Sequence, residues 1–195
     1  MRFRSRKVAR LVQVVVVAAA GFVFSAAAHA QVPTSGNVFF GYSYYNTQLS
    51  SINRTNLNGW EGSLEGKVFP FVGLVVDFSD HYGSQDVPNP AETCAIGVVC
   101  SPLRVSTSVQ TVVFGPRVSF SAGKVRPFAE ALFGVGHVGG DAPSDTSFAT
   151  ALGGGIDYRI IRPVALRFQG DYVQTRFFGA TQNNVRLSTG IVFRF

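Results

Sequence analysis

Glu61, Glu65, Asp77, Glu130, Asp157 and Asp171 are six acids, and Lys67, Arg117, Arg159, Arg167, Arg186 and Arg194 are six bases, that share one property. Each falls on the polar parity of a segment in which apolar and polar residues alternate. Charges gathered on one face can form a path for ions, or they can pair with each other and fill space. An unpaired charge held away from water is costly, so equal numbers favour mutual pairing. An enclosure with room for little beyond its own side chains favours the same outcome, a plug of salt bridges.

Other residues could in principle carry chemistry. Hydrolysis needs a nucleophile beside a histidine that a carboxylate orients. His81 with Asp80 and Ser84, and His137 with Asp141, are the candidate groupings, and with two histidines after residue 30 chance adjacency accounts for both. Cys94 and Cys100 are the only cysteines, in "CAIGVVC". In an oxidising compartment they are expected to form a loop disulfide; two ligands alone make a poor zinc site. "GVGHVG" (134–139) matches the glycine spacing of a dinucleotide loop, but "GDAPSD" follows where a helix would have to open. Its glycines are read instead as close-packing positions on a curved strand. No cofactor is expected.

The elements that must position these residues begin with an export segment. "MRFRSRKVAR" is basic, "LVQVVVVAAAGFVF" is apolar, and Ala28 and Ala30 in "SAAAHA" have the small-residue spacing of a cleavage site. Residues 1–30 are therefore expected to be a removed signal peptide, since the apolar run is shorter than the ~20 residues of a bilayer-spanning helix. Five of the 17 basic residues lie in this segment and none of the 11 acids do, leaving 12 bases against 11 acids. The high isoelectric point belongs largely to the export segment, so no nucleic-acid partner is implied.

Residues 31–195 suffice for one domain. Eight strand-like segments follow one another, at about 37–46, 57–68, 71–82, 105–120, 127–138, 148–159, 164–176 and 184–195. Aromatic, β-branched and glycine-rich segments at this spacing predict an all-β chain. Connections after the second, fourth and sixth strands are tight. The others, 47–56, 83–104, 139–147 and 177–184, are mostly longer. An up-and-down meander then gathers short turns at one end and longer loops at the other, the asymmetry of transmembrane barrels.

Parity assigns the faces. Val112, Phe114, Val118 and Phe120 alternate with Thr111, Arg117 and Ser119; Leu166, Phe168 and Tyr172 alternate with Arg167, Gln169 and Asp171. A soluble carrier would turn the apolar set inward, whereas a membrane barrel turns it outward. The export segment, the loop asymmetry and the aromatics near strand ends favour the outward reading. Tyr44, Trp60 and Tyr172 are expected in one interfacial girdle, and Phe120, Tyr158, Phe193 and Phe195 in the other. Pairing Phe120 with Pro127 across the turn 121–126 sets Arg117 opposite Glu130.

With these segments in view, "GYSYYN", "NGWEGS", "VFGPRVSF", "PFAEALFGVG" and the aromatic-ended "NVRLSTGIVFRF", the chain resembles the small OmpA-like, eight-stranded outer-membrane β-barrel proteins. The resemblance covers residues 31–195. It implies location in the bacterial outer membrane, contact with its lipids, and a terminal signal read by the barrel-assembly machinery, matched here by Leu187, Ile191, Phe193 and Phe195. It also implies a monomer without a large pore, with a structural or interactive role through extracellular loops and an unidentified loop ligand. A narrow channel for small solutes or ions and a lipid-modifying enzyme are the alternative functions.

Overall fold

Period-two alternation makes every segment a strand with two unlike faces, and antiparallel neighbours joined in sequence order satisfy all but the outermost backbone groups. The structure, a computed structural model, describes residues 35–47, 54–87, 103–141 and 143–195. The signal segment, Ala28 and Ala30, and the cysteines Cys94 and Cys100 lie outside the described residues. Eight strands are present: β1 Gly36–Thr47, β2 Thr55–Lys67, β3 Val72–Val87, β4 Leu103–Ser119, β5 Val125–Gly140, β6 Asp145–Arg159, β7 Val164–Thr175 and β8 Gln182–Arg194. Each pairs antiparallel with the next, and β1 pairs with β8 to close the barrel. Closure removes the exposed edges that an open sheet would carry.

The turns after β2, β4 and β6 lie at one end together with Gly36 and Phe195, whose backbones exchange hydrogen bonds of 2.9 and 3.1 Å. The C-terminal ends of β1, β3, β5 and β7 lie at the opposite end. β3 and β4 run further toward that end than alternation implies. Their ladder continues through Gly83↔Thr107 and Ser84↔Ser106 to Val87↔Leu103, inside the stretch 83–104 expected to be loop. There the outward residues turn polar, as at Ser84, Ser106 and Ser108, so the apolar signal stops while the backbone pairing goes on.

The two faces are inverted relative to a soluble barrel. Phe40, Leu74, Leu152 and Phe168 are about half exposed or more on the outer wall, while Arg167 and Glu61 are 0% exposed inside. Trp60, Tyr158, Tyr172, Phe120, Phe193 and Phe195 also face outward, and the Phe71 and Phe120 rings stack at 5.4 Å at the turn end. A continuous apolar belt of this size would not stay dispersed in water as a monomer. It is a surface for hydrocarbon, and the soluble-carrier alternative does not fit it.

Glycine permits the tight curvature of β6. A Cβ on Gly153 would stand 2.0 Å from Asp171 Oδ1 and 2.4 Å from the Gly170 carbonyl oxygen, and one on Gly155 would stand 2.1 Å from the Phe168 carbonyl oxygen. Strands β6 and β7 approach too closely here for any side chain.

Candidate functional site

Inward parity delivers polar side chains from several strands to one narrow lumen, where they meet at two levels. At the middle level Arg186 (β8) is the hub. Its guanidinium lies 2.7 Å from Asp77 (β3), 2.8 Å from Asp171 (β7) and 3.2 Å from Glu61 (β2). Gln169 Nε2 lies 2.9 Å from Glu61, 3.0 Å from Glu130 and 2.9 Å from Asp171, so its two hydrogens are shared among three carboxylates.

Nearer the turn end Arg117 links two carboxylates. Its Nε donates to Glu130 at 2.6 Å and its Nη1 to Glu65 at 3.2 Å. The β4–β5 ladder sets Arg117 directly opposite Glu130. Glu65 also accepts from Asn37 and lies within 2.7 Å of Lys67. Asp157 takes two hydrogen bonds from Arg167, at 2.7 and 3.1 Å, and one from Arg194 at 3.2 Å. Phe128 is sandwiched between Arg117 and Arg167, each 4.6 Å from its ring centroid. Such cation–π contacts cover guanidinium faces that cannot accept hydrogen bonds.

Arg159 departs from the expected set. It occupies the last position of β6, half exposed, where the chain leaves the barrel wall, and it donates to the Gly123 carbonyl at 3.0 Å instead of meeting a carboxylate. Arg126 takes its place in the lumen. It pairs with Asp157 in the ladder and donates to Ser119 at 2.7 Å and to Glu65 at 3.3 Å. Arg126 shares the parity of Phe128 and Glu130; a strand drawn from Val125 instead of Pro127 would have included it.

Above the charged levels the lumen is closed by apolar side chains, a feature the polar alternation does not suggest. Tyr45, Leu57, Val109, Leu132, Val138, Ala149 and Val173 form one buried cluster, joined by Phe177 from the β7–β8 connection. Phe177 lies on a short 3-10 turn, Phe177–Gly179, and is 1% exposed. Its backbone is clamped by Gln182, which accepts from its N–H at 2.9 Å and donates to its carbonyl at 3.0 Å. Its ring fits over Gly136, where an added Cβ would approach it to 3.1 Å.

Neither hydrolase grouping assembles. Strand alternation puts His81 inside, where its Nε2 is 2.8 Å from Ser43 Oγ, and puts Asp80 outside, bonded to Tyr82 and Gln110. His137 faces outward and bonds to Thr146 at 2.7 Å. The chain His81–Ser43–Ser188–Glu61 does contain serine, histidine and carboxylate, but the serines stand between the other two. In a nucleophilic triad the histidine must occupy the middle to take the serine proton. Among the described residues no grouping of His, Cys, Asp and Glu could hold a metal ion. Leu187, Ile191 and Phe193 project from the outer wall of β8, and Phe195 is exposed just beyond its end.

No protein-family model matches the chain, and no curated protein matches it in sequence. Solved structures share its fold. Neisserial surface protein A (NspA) superposes with a TM-score of 0.64 at 13% identity, over 82% of this chain and 97% of that one. Ail, the attachment invasion locus protein of Yersinia pestis, solved in complex with the heparin analogue sucrose octasulfate, gives 0.54 at 14% identity, over 83% and 98%. The outer membrane protein OprG of Pseudomonas aeruginosa gives 0.52 at 8% identity, over 84% and 97%. The likeness is one of fold: the chain is a closed, eight-stranded, antiparallel barrel of the kind found in the bacterial outer membrane.

Proposed function

We propose that this chain is an integral protein of the bacterial outer membrane that conducts no steady current and acts through its loop end. The observation that carries the reading is double occlusion of the lumen. The Arg117 and Arg186 networks fill two levels, and the cluster under Phe177 closes a third. A hydrated path would have to displace both charged pairs and packed apolar side chains. Closure of the sheet on itself leaves no strand edge for a partner copy to pair with, which supports reading the protein as a monomer in contact with outer-membrane lipids. Leu187, Ile191, Phe193 and Phe195 serve insertion by the barrel-assembly machinery. No hydrolytic role is assigned, because His81 faces away from Asp80 and Ser84, and His137 and Asp141 bond instead to Thr146 and to the Ser106 N–H.

The work is left to the end where β3 and β4 project. On their outer wall Tyr82, Ser84, Ser106 and Ser108 line an open cleft of about 480 Å³ rich in hydroxyl groups, a surface suited to a polar loop ligand. The complex of Ail with a heparin analogue shows that a barrel of this fold can hold a ligand. Polysulfate is not carried over to this chain. Its described loop end sets Arg54, Arg104 and Arg176 against Asp80, Asp141 and Asp145, with no excess of positive charge.

Planar-bilayer recording tests the reading. The wild type is expected to give no steady conductance steps, and Phe177→Gly alone to remain closed because the charged levels persist below it. Robust wild-type conductance would replace this reading with a narrow channel for small solutes or ions.

A further inference from the structure

The turn end carries a cationic cleft at the rim of the lumen network, which shares only Arg194 with it. Arg159, Arg162 and Arg194 line it, with Pro163 and Phe195 as walls, around a cavity of about 280 Å³. These cations have donors to spare. Arg159 uses one Nη on the Gly123 carbonyl. Arg194 reaches Asp157 with one Nη, and its buried Nε has no hydrogen-bond partner. Arg162 is exposed on the β6–β7 turn and makes no ion pair among the described residues. Asp157, the side-chain acid that reaches the cleft, is already held by Arg167 and Arg194. The Phe195 carboxylate at the rim accepts the Gly36 N–H, and the three guanidinium groups outnumber it.

The surroundings are apolar. Ile160, Ile161 and Phe195 are 58%, 63% and 62% exposed beside the arginines. Guanidinium groups and bare hydrocarbon therefore meet at the edge of the lipid-facing belt. That combination suits a ligand with an anionic head and an apolar tail.

We propose that this cleft binds the phosphodiester headgroup of an anionic phospholipid, whose acyl chains lie along Ile160, Ile161 and Phe195. The proposal rests on the reading of the barrel as membrane-embedded. Planar guanidinium forks match phosphate oxygens in geometry as well as charge. Inorganic phosphate offers the same head chemistry but nothing for the apolar rim, so the rim selects the lipid.

The test is native mass spectrometry of the full chain, folded in detergent and mixed with phosphatidylglycerol or phosphatidylcholine. Wild type is expected to retain phosphatidylglycerol preferentially. At about fivefold per arginine, the combined change Arg159→Gln, Arg162→Gln should lower that affinity about 25-fold. Arg54→Gln, at the loop end, should leave it unchanged. Heat-modifiable gel migration of each variant reports the folded barrel, so a failure of the membrane reading is seen separately from a loss of lipid. Should Arg159→Gln impair folding, Arg162→Gln alone breaks no internal bond and should still weaken retention about fivefold. Equal retention of phosphatidylglycerol by wild type and the Arg159, Arg162 double variant would overturn the site. Displacement of the lipid by excess inorganic phosphate would reduce it to a simple anion site and overturn the lipid assignment.

Discussion

Arg117 and Glu130 face each other across one ladder rung, yet the structure predicts that losing them has unequal consequences. Both side chains are essentially buried, at 1% and 0% exposure. Arg117→Ala leaves Glu130 with only the Gln169 amide, which Glu61 and Asp171 also share. An uncompensated buried charge of this kind costs about 3–5 kcal/mol. Glu65, the other partner of Arg117, keeps Lys67, Arg126 and Asn37 and adds little to that figure. Glu130→Ala is milder. Arg117 retains Glu65 at 3.2 Å and the face of Phe128 at 4.6 Å. The loss is then close to that of one charge-assisted hydrogen bond, about 1.5–3 kcal/mol. In the double variant the stranded carboxylate is gone, so it should cost no more than Arg117→Ala alone, a coupling of about 1.5–3 kcal/mol. Urea unfolding of the barrel in lipid vesicles measures all three, with the single tryptophan, Trp60, as the fluorescent reporter on the outer wall. Equal denaturant slopes are required for the comparison. Costs that add to within about 0.5 kcal/mol, or a larger loss from Glu130→Ala than from Arg117→Ala, would refute this account of the network.

Gly153→Ala should destabilise the barrel by at least about 1–3 kcal/mol in the same assay, because the new methyl meets the Gly170 carbonyl and the Asp171 backbone, which cannot swing aside; Gly62→Ala, where the nearest atoms stand 3.7 Å from an added Cβ, is the matched control for added bulk. Intact mass of the exported protein is expected to equal residues 31–195 less two hydrogens, which reports cleavage before Gln31 and a Cys94–Cys100 disulfide together; a mass including residues 1–30, or thiols that react before reduction, would contradict the corresponding expectation.

The inside and outside of this barrel were legible in the sequence because they depend on a local period. Arg167 and Phe168, or Arg186 and Leu187, must face opposite ways in any strand, whatever the rest of the chain does. The Arg117–Glu130 rung was legible for a related reason: a tight turn between neighbouring strands sets the register. What alternation could not supply was contact across the lumen. Arg186 and Asp77 are 109 residues apart and meet only because β8 closes against β1 and brings β3 and β8 around one axis. Strand ends escaped for a different reason. Parity persists there, but where the chain turns away from the wall decides whether a side chain enters the lumen, so Arg126 joined the network and Arg159 bonded to a turn carbonyl. Phe177 had no periodicity to betray it. A residue in a connection carries no face of its own, and only the packed barrel, with Gly136 leaving space beneath it and Gln182 clamping its backbone, determines that its ring points inward as the cap of the lumen.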